Sequence, residues 1–246
     1  FFWNGVTTGT GSGFDDADTI NLGAGTDTIA VYLSGNANHS ATYTNVKNIE
    51  NLTFALISGN STVSATLDDA NFVSVAGTVT AAGVTGATTI NAVAENDSGL
   101  TIIGGNGVDT ITGTDTLAIG DTINGGLGAD IIDGSLGGDT ITGGAGNDVF
   151  KYAVVGDSTG SAPDSITDFI SAADSFNIVL DYSTNNYGIV VDADVTAAKA
   201  GSAAVEASLT GNRGQVVYDT TNNQMIVNVD ANNLVTALDY KIGVNP

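Results

Sequence analysis

GGNGVDTITGTDTLAIGDTINGGLGADIIDGSLGGDTITGGAGNDVFK, residues 104–151, decides how this chain folds. Its acids keep a period. Asp121, Asp130, Asp139 and Asp148 fall nine residues apart, and Asp109 precedes Asp121 by twelve, so one turn carries a three-residue insertion. A shorter run near the start, GFDDADTIN followed by LGAGTDTIA, sets Asp18 and Asp27 in the same nine-residue frame. Self-similarity at a short fixed period marks a solenoid, in which each unit buries its apolar face against the next.

The frame predicts an inward apolar side chain two residues after each of these Asp. The positions are Ile20, Ile29, Ile111, Ile123, Ile132, Ile141 and Phe150, and all seven are apolar. In a chain that is 42% apolar, chance gives such a run about two times in a thousand. The residue between is Thr, Ile or Val every time, a β-branched, strand-favouring type. The Gly-rich stretch before each Asp supplies a tight loop, because glycine reaches backbone angles closed to other residues. Loop, short strand, loop and strand stack into parallel strands with an internal isoleucine ladder, so the fold class is all-β, a parallel β-roll or β-solenoid. Stacked loops also bring Asp carboxylates and loop carbonyls into register. Unpaired, those carboxylates would repel one another. As an oxygen cage they suit a hard cation, and six to eight oxygens suit calcium better than magnesium.

GGNGVDTIT, GGLGADIID and GGAGNDVFK match GGxGxDxUx throughout, and GSLGGDTIT lacks one Gly. The pattern resembles the RTX nonapeptide, the calcium-binding β-roll repeat. The resemblance implies that calcium is held by the repeat Asp and by carbonyls of the Gly-rich loop. It carries over to Asp109, Asp130, Asp139 and Asp148, with carbonyls at Gly104, Asn106, Gly125, Leu127, Gly134, Leu136, Gly143 and Ala145. It extends to Asp121, although AIGDTIN lacks the usual loop before it, to Asp27, and to Asp18, where Asp16 replaces a Gly. Residues 149–180, VFKYAVVGDSTGSAPDSITDFISAADSFNIVL, resemble the segment that follows RTX repeats in proteins exported by type I secretion. Asp164, Asp168, Phe169 and Asp174 are the matching positions, and the resemblance implies that the three acids close a final calcium site.

Residues 214–233 alternate as a β-hairpin around a polar turn at 219–223, and residues 196–209 read equally as a helix or an Ala-rich loop. The ending IGVNP departs from the acidic-then-apolar tail of such proteins. The middle keeps no nine-residue frame and reads as an irregular solenoid on the same axis, with short strands at 51–57, 62–67 and 73–79. Its NVKNIENLTF resembles a segment of RTX-type surface-layer proteins. The expected organisation is degenerate RTX turns over 1–30, a Thr/Ala-rich solenoid over 31–103, a calcium roll over 104–151, and a C-terminal β cap with export signal over 152–246.

Composition removes other classes. Against 27 acids stand 5 bases, a net charge of −22. Nucleic acid and anionic membrane are poor partners, because both are bound through Lys and Arg. There is no Cys and one His, so thiolate and multi-His metal sites are excluded. No apolar run approaches a membrane span. No signal peptide reads at the start, and Phe1 in place of Met predicts a fragment or a processed product. GDSTG, residues 156–160, imitates a nucleophile elbow, but Pro163 opposes the helix that motif needs. His39, the one available base, sits in NANHSAT and reads as a solvent-facing loop residue. The chain therefore reads as a non-enzyme: a secreted calcium-binding structural protein, extracellular or on the cell surface, with Gram-negative type I export implied by the resemblance. Its expected partners are further copies of itself and a cell-surface polysaccharide. The alternative is the folding and export module of a larger secreted protease, lipase or adhesin.

Overall fold

The computed structural model describes residues 20–178, apart from 37, 45, 73–75, 97, 155, 159–161 and 171, together with the strands at 215–219, 224–228 and 240–244. The degenerate turn around Asp18 and the segment 196–209 lie outside the described residues. Strands are numbered β1–β19 in chain order, and no helix occurs among the described residues.

Two parallel sheets face each other, and the chain alternates between them. The first holds β2 (Thr28–Leu33), β5 (Asn51–Leu56), β7 (Gly77–Thr80), β9 (Leu100–Ile103), β11 (Thr122–Leu127), β13 (Thr140–Ala145) and β15 (Asp164–Ile166). The second holds β3 (Asn38–Thr42), β6 (Thr62–Thr66), β8 (Thr88–Asn91), β10 (Thr110–Thr112), β12 (Ile131–Asp133), β14 (Val149–Tyr152) and β16 (Ser175–Ile178). β1 (Ile20–Asn21) pairs in parallel with β4 (Val46–Lys47) at one side. The roll runs on past the last repeat, since β15 and β16 add a further coil in register with β13 and β14. β15 then pairs with β19 (Tyr240–Val244), which continues antiparallel to β18 (Gln224–Asn228) and β17 (Gln215–Asp219). The alternation that predicts a hairpin over 214–233 corresponds to the β17–β18 pair.

Register explains the stability. Leu52, Val79, Ile102, Ile123, Ile141 and Ile166 stack in one inward column with Ile29 at its end, and each is at most 5% exposed. Ile90, Ile111, Ile132 and Phe150 face them from the second sheet. Of the seven framed apolar positions, Ile20 alone is half-buried. Each fully buried Ile contributes about 1.5–3 kcal/mol, repeated at every coil. Aromatics widen the C-terminal end: Phe169 stacks on Phe176 at 4.8 Å, and both lie 6.0 Å from Phe150.

The repeat coils are 18 residues long, two nonapeptides. The coils outside the repeats are longer, 21 residues at the N-terminal margin and 25 at the C-terminal one. The expected strand over 73–79 lies partly outside the described residues; its described part is β7, where the buried Phe72 ring occupies the space a side chain at Gly77 would need. His39 corrects the loop assignment. It lies in β3 at 6% exposure, because strand alternation turns it inward against Phe54, with Nε2 3.0 Å from the Tyr43 hydroxyl. Burial lowers its pKa.

Candidate metal centre

The residue two before each inward position falls in one of two straight columns. Beside the first sheet the column reads Asp27, Glu50, Gly77, Leu100, Asp121, Asp139, Asp164. Beside the second it reads His39, Val63, Thr88, Asp109, Asp130, Asp148, Asp174. The sequence-predicted acids among the described residues, apart from Asp168, thus fall in two lines, and the frameless middle fills the same positions with uncharged residues except at Glu50.

Each column is a hydrogen-bond ladder. The N–H of Asp139 donates to Asp164 Oδ1 at 2.9 Å, that of Asp121 to Asp139 Oδ1 at 2.7 Å, and that of Leu100 to Asp121 Oδ1 at 2.7 Å. In the second column the N–H groups of Asp148, Asp130, Asp109 and Thr88 donate to Asp174, Asp148, Asp130 and Asp109 at 2.7–3.0 Å. Glu50 extends the rule to the other end, accepting the Asp27 N–H at 2.6 Å. A frame of Asp every nine residues has no place for this Glu, and only the register reveals it.

One carboxylate oxygen of each column Asp from Asp109 to Asp174 is therefore engaged by the neighbouring coil. The second oxygen of Asp27, Asp130, Asp139, Asp148 and Asp164 is buried and meets no donor of hydrogen-bond geometry, with the Tyr152 hydroxyl beside the Asp164 carboxyl. Asp130, Asp139, Asp148 and Asp164 are each at most 1% exposed. Burial pushes Asp130 up to about 7, helped by repulsion from Asp109 and Asp148. It pushes Asp139 up to about 9, with Asp164 the nearest repelling charge, and Asp164 up to about 8. Asp109, Asp121 and Asp148 are raised by the same burial. Carboxylates one strand spacing apart repel by about 3 kcal/mol at a protein-like dielectric. Such groups fold only if they take protons or a cation.

The loops leave room for those oxygens. A side chain at Gly125 or Gly143 would sit 2.5 Å from Asp130 Oδ2 or Asp148 Oδ2 respectively, and one at Gly134 would strike Asp139 Oδ2. Gly144, at φ +100°, adopts a backbone closed to other residues and packs against the Gly126 carbonyl oxygen. Gly104, Gly125 and Gly143 share one stack, and Leu127 pairs with Ala145 just beyond it. Asn106 follows in the loop after Gly104, and its N–H donates to the Val84 carbonyl. Leu136 bridges to Asp115 on the opposite side. Among the described residues no three acidic or His side chains converge on one point, so a cation between coils would complete its shell from loop carbonyls. The residues present fit that demand: hard anionic oxygens, buried and lacking donors, beside stacked carbonyls.

Asp168 holds the loop from outside, accepting the N–H groups of Gly143 and Gly144 at 2.9 and 2.8 Å. Asp157 follows Asp148 by nine residues but stands in neither column; it is 3% exposed and accepts the N–H groups of Ala153 and Val154. Ser158 of the GDSTG turn is buried, and its Oγ accepts the Asp164 N–H at 2.8 Å. His39 stands five strands away from β14 along the second sheet, roughly 24 Å. Among the described residues the one ion pair is Lys151–Asp133 at 2.7 Å.

Comparison with known families finds four copies of the hemolysin-type RTX calcium-binding nonapeptide repeat, over residues 12–29 and 118–150. The chain thus carries RTX repeats, whose ligand is calcium, and such repeats are typical of proteins secreted by type I systems of Gram-negative bacteria. The match includes Asp18, Asp27, Asp121, Asp130, Asp139 and Asp148 but not Asp109. A search of curated proteins finds no match.

Proposed function

We propose that this chain is a secreted structural protein that folds on calcium after export and assembles with copies of itself at the cell surface or in extracellular matrix, without enzymatic activity of its own. The observation that carries the calcium part is the column of buried Asp oxygens that no donor meets. Asp130, Asp139, Asp148 and Asp164 would hold calcium with carbonyls of the Gly-rich loops. The ion supplies the positive charge that cancels their repulsion. Because it binds the folded coils and not the open chain, it drives folding by mass action. Where free calcium is scarce the repeat coils stay open and the chain exportable. Outside, at millimolar calcium, it closes, since extracellular calcium modules have Kd of about 10⁻⁴–10⁻³ M.

Self-assembly is supported by the solenoid's form. Among the described strands β2 and β3 are paired on one side only, and an unpaired edge accepts another strand. Calcium also lowers the repulsion between copies that each carry −22. Calcium titration followed by circular dichroism, light scattering and electron microscopy tests both parts. A gain in β signal together with ordered sheets or filaments is expected. If chelation leaves β signal and assembly unchanged, the reading fails. Folded monomers at saturating calcium would instead favour a folding and export module of a larger secreted protein.

A further inference from the structure

The column acids divide by what meets their second oxygen. In Asp109 it accepts the N–H of Gly105 at 2.5 Å, in Asp121 that of Thr114 at 2.6 Å, and in Asp174 that of Ile170 at 2.7 Å. Each donor belongs to the acid's own loop, four or seven residues back. Thr114 adds its hydroxyl to Asp121 Oδ1 at 3.1 Å. In Asp130, Asp139, Asp148 and Asp164 the second oxygen is buried and no donor of hydrogen-bond geometry reaches it, and the same holds for the distant Asp27. Within the roll from Asp109 to Asp174 the two kinds are ordered. The self-bonded Asp109 and Asp121 come first and the self-bonded Asp174 last, and the four unmet acids lie between them in the chain.

A loop N–H at Oδ2 does part of what a cation would do there. It offers positive charge to the carboxylate and ties loop to strand. It also points at the space a cation would occupy, so the two exclude each other. Thr114 stands in the loop of Asp121 where Gly105 stands in that of Asp109, three residues further back because of the insertion. In Asp130, Asp139, Asp148 and Asp164 no such N–H reaches the oxygen, which is left to a metal.

We propose that Asp109, Asp121 and Asp174 are calcium-independent end caps, and that the roll's calcium is bound between them, on Asp130, Asp139, Asp148 and Asp164. This rests on the calcium reading above. Asp109 and Asp121 are positioning residues: with their loops tied, their own N–H groups hold Asp130 Oδ1 and Asp139 Oδ1 at 2.8 and 2.7 Å. The family match passes over Asp109 and includes Asp121. The coils from β2 to β10 then keep their shape without calcium, and the ion closes the coils C-terminal to them.

The test counts calcium ions on the full chain by titration calorimetry and equilibrium dialysis. Asp109→Asn, Asp121→Asn and Asp174→Asn should retain the wild-type ion count, with affinity at most about tenfold weaker. Asp130→Asn, Asp139→Asn and Asp148→Asn should each lose at least one ion. Loss of an ion in Asp109→Asn or Asp121→Asn overturns the assignment. Because Asn at these positions can prevent folding, hydrogen exchange on the wild type gives a second decision. On chelation the Gly105 and Thr114 amides should stay protected while those of residues 126–148 exchange, and simultaneous loss in both regions overturns the proposal. A wild type that binds no calcium would instead bring down the function proposed above.

Discussion

Replacing Asp139 by Asn should stabilise this chain without calcium and remove most of that gain when calcium is present. Asp139 is 1% exposed, its Oδ1 accepts the Asp121 N–H at 2.7 Å, and its Oδ2 has no donor. Without calcium, burial and Asp164 hold its pKa at about 9 against 3.8 in the open chain. At neutral pH the folded state must therefore carry a proton that the open chain has released. The gap of a little over three pH units costs about 4 kcal/mol. Asn is neutral in both states and keeps the oxygen that the Asp121 N–H needs. Its new N–H₂ adds a buried donor, which takes back about 1–2 kcal/mol if unmatched. The calcium-free fold should thus gain roughly 2 kcal/mol. With calcium the same change deletes an anionic ligand, and losing a site with Kd near 10⁻⁴ M at millimolar calcium removes about 1.4 kcal/mol, so the net gain shrinks to under about 1 kcal/mol. Urea unfolding followed by circular dichroism, in chelator and in millimolar calcium, reads both changes. If the wild type is open in chelator, the midpoint of osmolyte-induced folding replaces the urea midpoint. Destabilisation of similar size in both conditions would show that Asp139 is only a hydrogen-bond acceptor, and the cation reasoning would fail with it.

Three further outcomes are expected. Without calcium the folded Asp130, Asp164 and Asp139 hold protons up to about 7, 8 and 9, against 3.8 unfolded. The folded state then binds more protons than the open chain across that window, so its stability falls as pH rises. Thermal melts in chelator should be higher at about pH 5 than at about pH 8, with calcium removing the difference, and a flat profile would contradict the burial. Gly125→Ala puts a methyl 2.5 Å from Asp130 Oδ2, so calcium affinity by calorimetry should drop while the coils N-terminal to it keep their exchange protection. Ile123→Ala empties a fully buried position of the ladder and should cost about 2–5 kcal/mol by urea unfolding, whether or not calcium is present.

The roll was legible because its repeat fixes three things at once: the loop, the strand and the inward residue. Ile111, Ile123, Ile132, Ile141 and Phe150 could be assigned inward from spacing alone. The same arithmetic places Asp130, Asp139 and Asp148 in line, but it cannot say which carboxylate oxygen has a donor. That depends on whether Gly105 or Thr114 turns its N–H inward, a matter of loop shape. His39 was misread because Asn, Ser, Ala and Thr around it suit an exposed loop and a strand edge equally, and only its pairing with Val63 shows the side chain facing the core. Glu50 was missed for the same reason: coils of unequal length carry no period to place it. Asp164 and Asp174 were found through a family resemblance, and their place in the columns follows from β15 and β16 continuing both sheets.

For calcium to act as the trigger proposed here, the calcium-free fold must lie close to balance. A site with Kd near 10⁻⁴ M in millimolar calcium stabilises the fold by about 1.4 kcal/mol, so three such sites supply about 4 kcal/mol. That is smaller than the stability of an ordinary domain, about 5–15 kcal/mol. If the isoleucine ladder alone gave such stability, the chain would close before export and calcium would change nothing. The uncompensated carboxylates prevent this. Asp139 by itself cancels about as much as three calcium ions restore. The acids are therefore spaced one per nonapeptide beside a strong apolar ladder for a physical reason: each coil carries its own opposing term, and the sum stays within reach of the ion. Neutralising two of them, as in Asp139→Asn with Asp148→Asn, should leave a roll that folds in chelator and no longer responds to calcium. A double variant that still needs calcium to fold would place the trigger outside these columns.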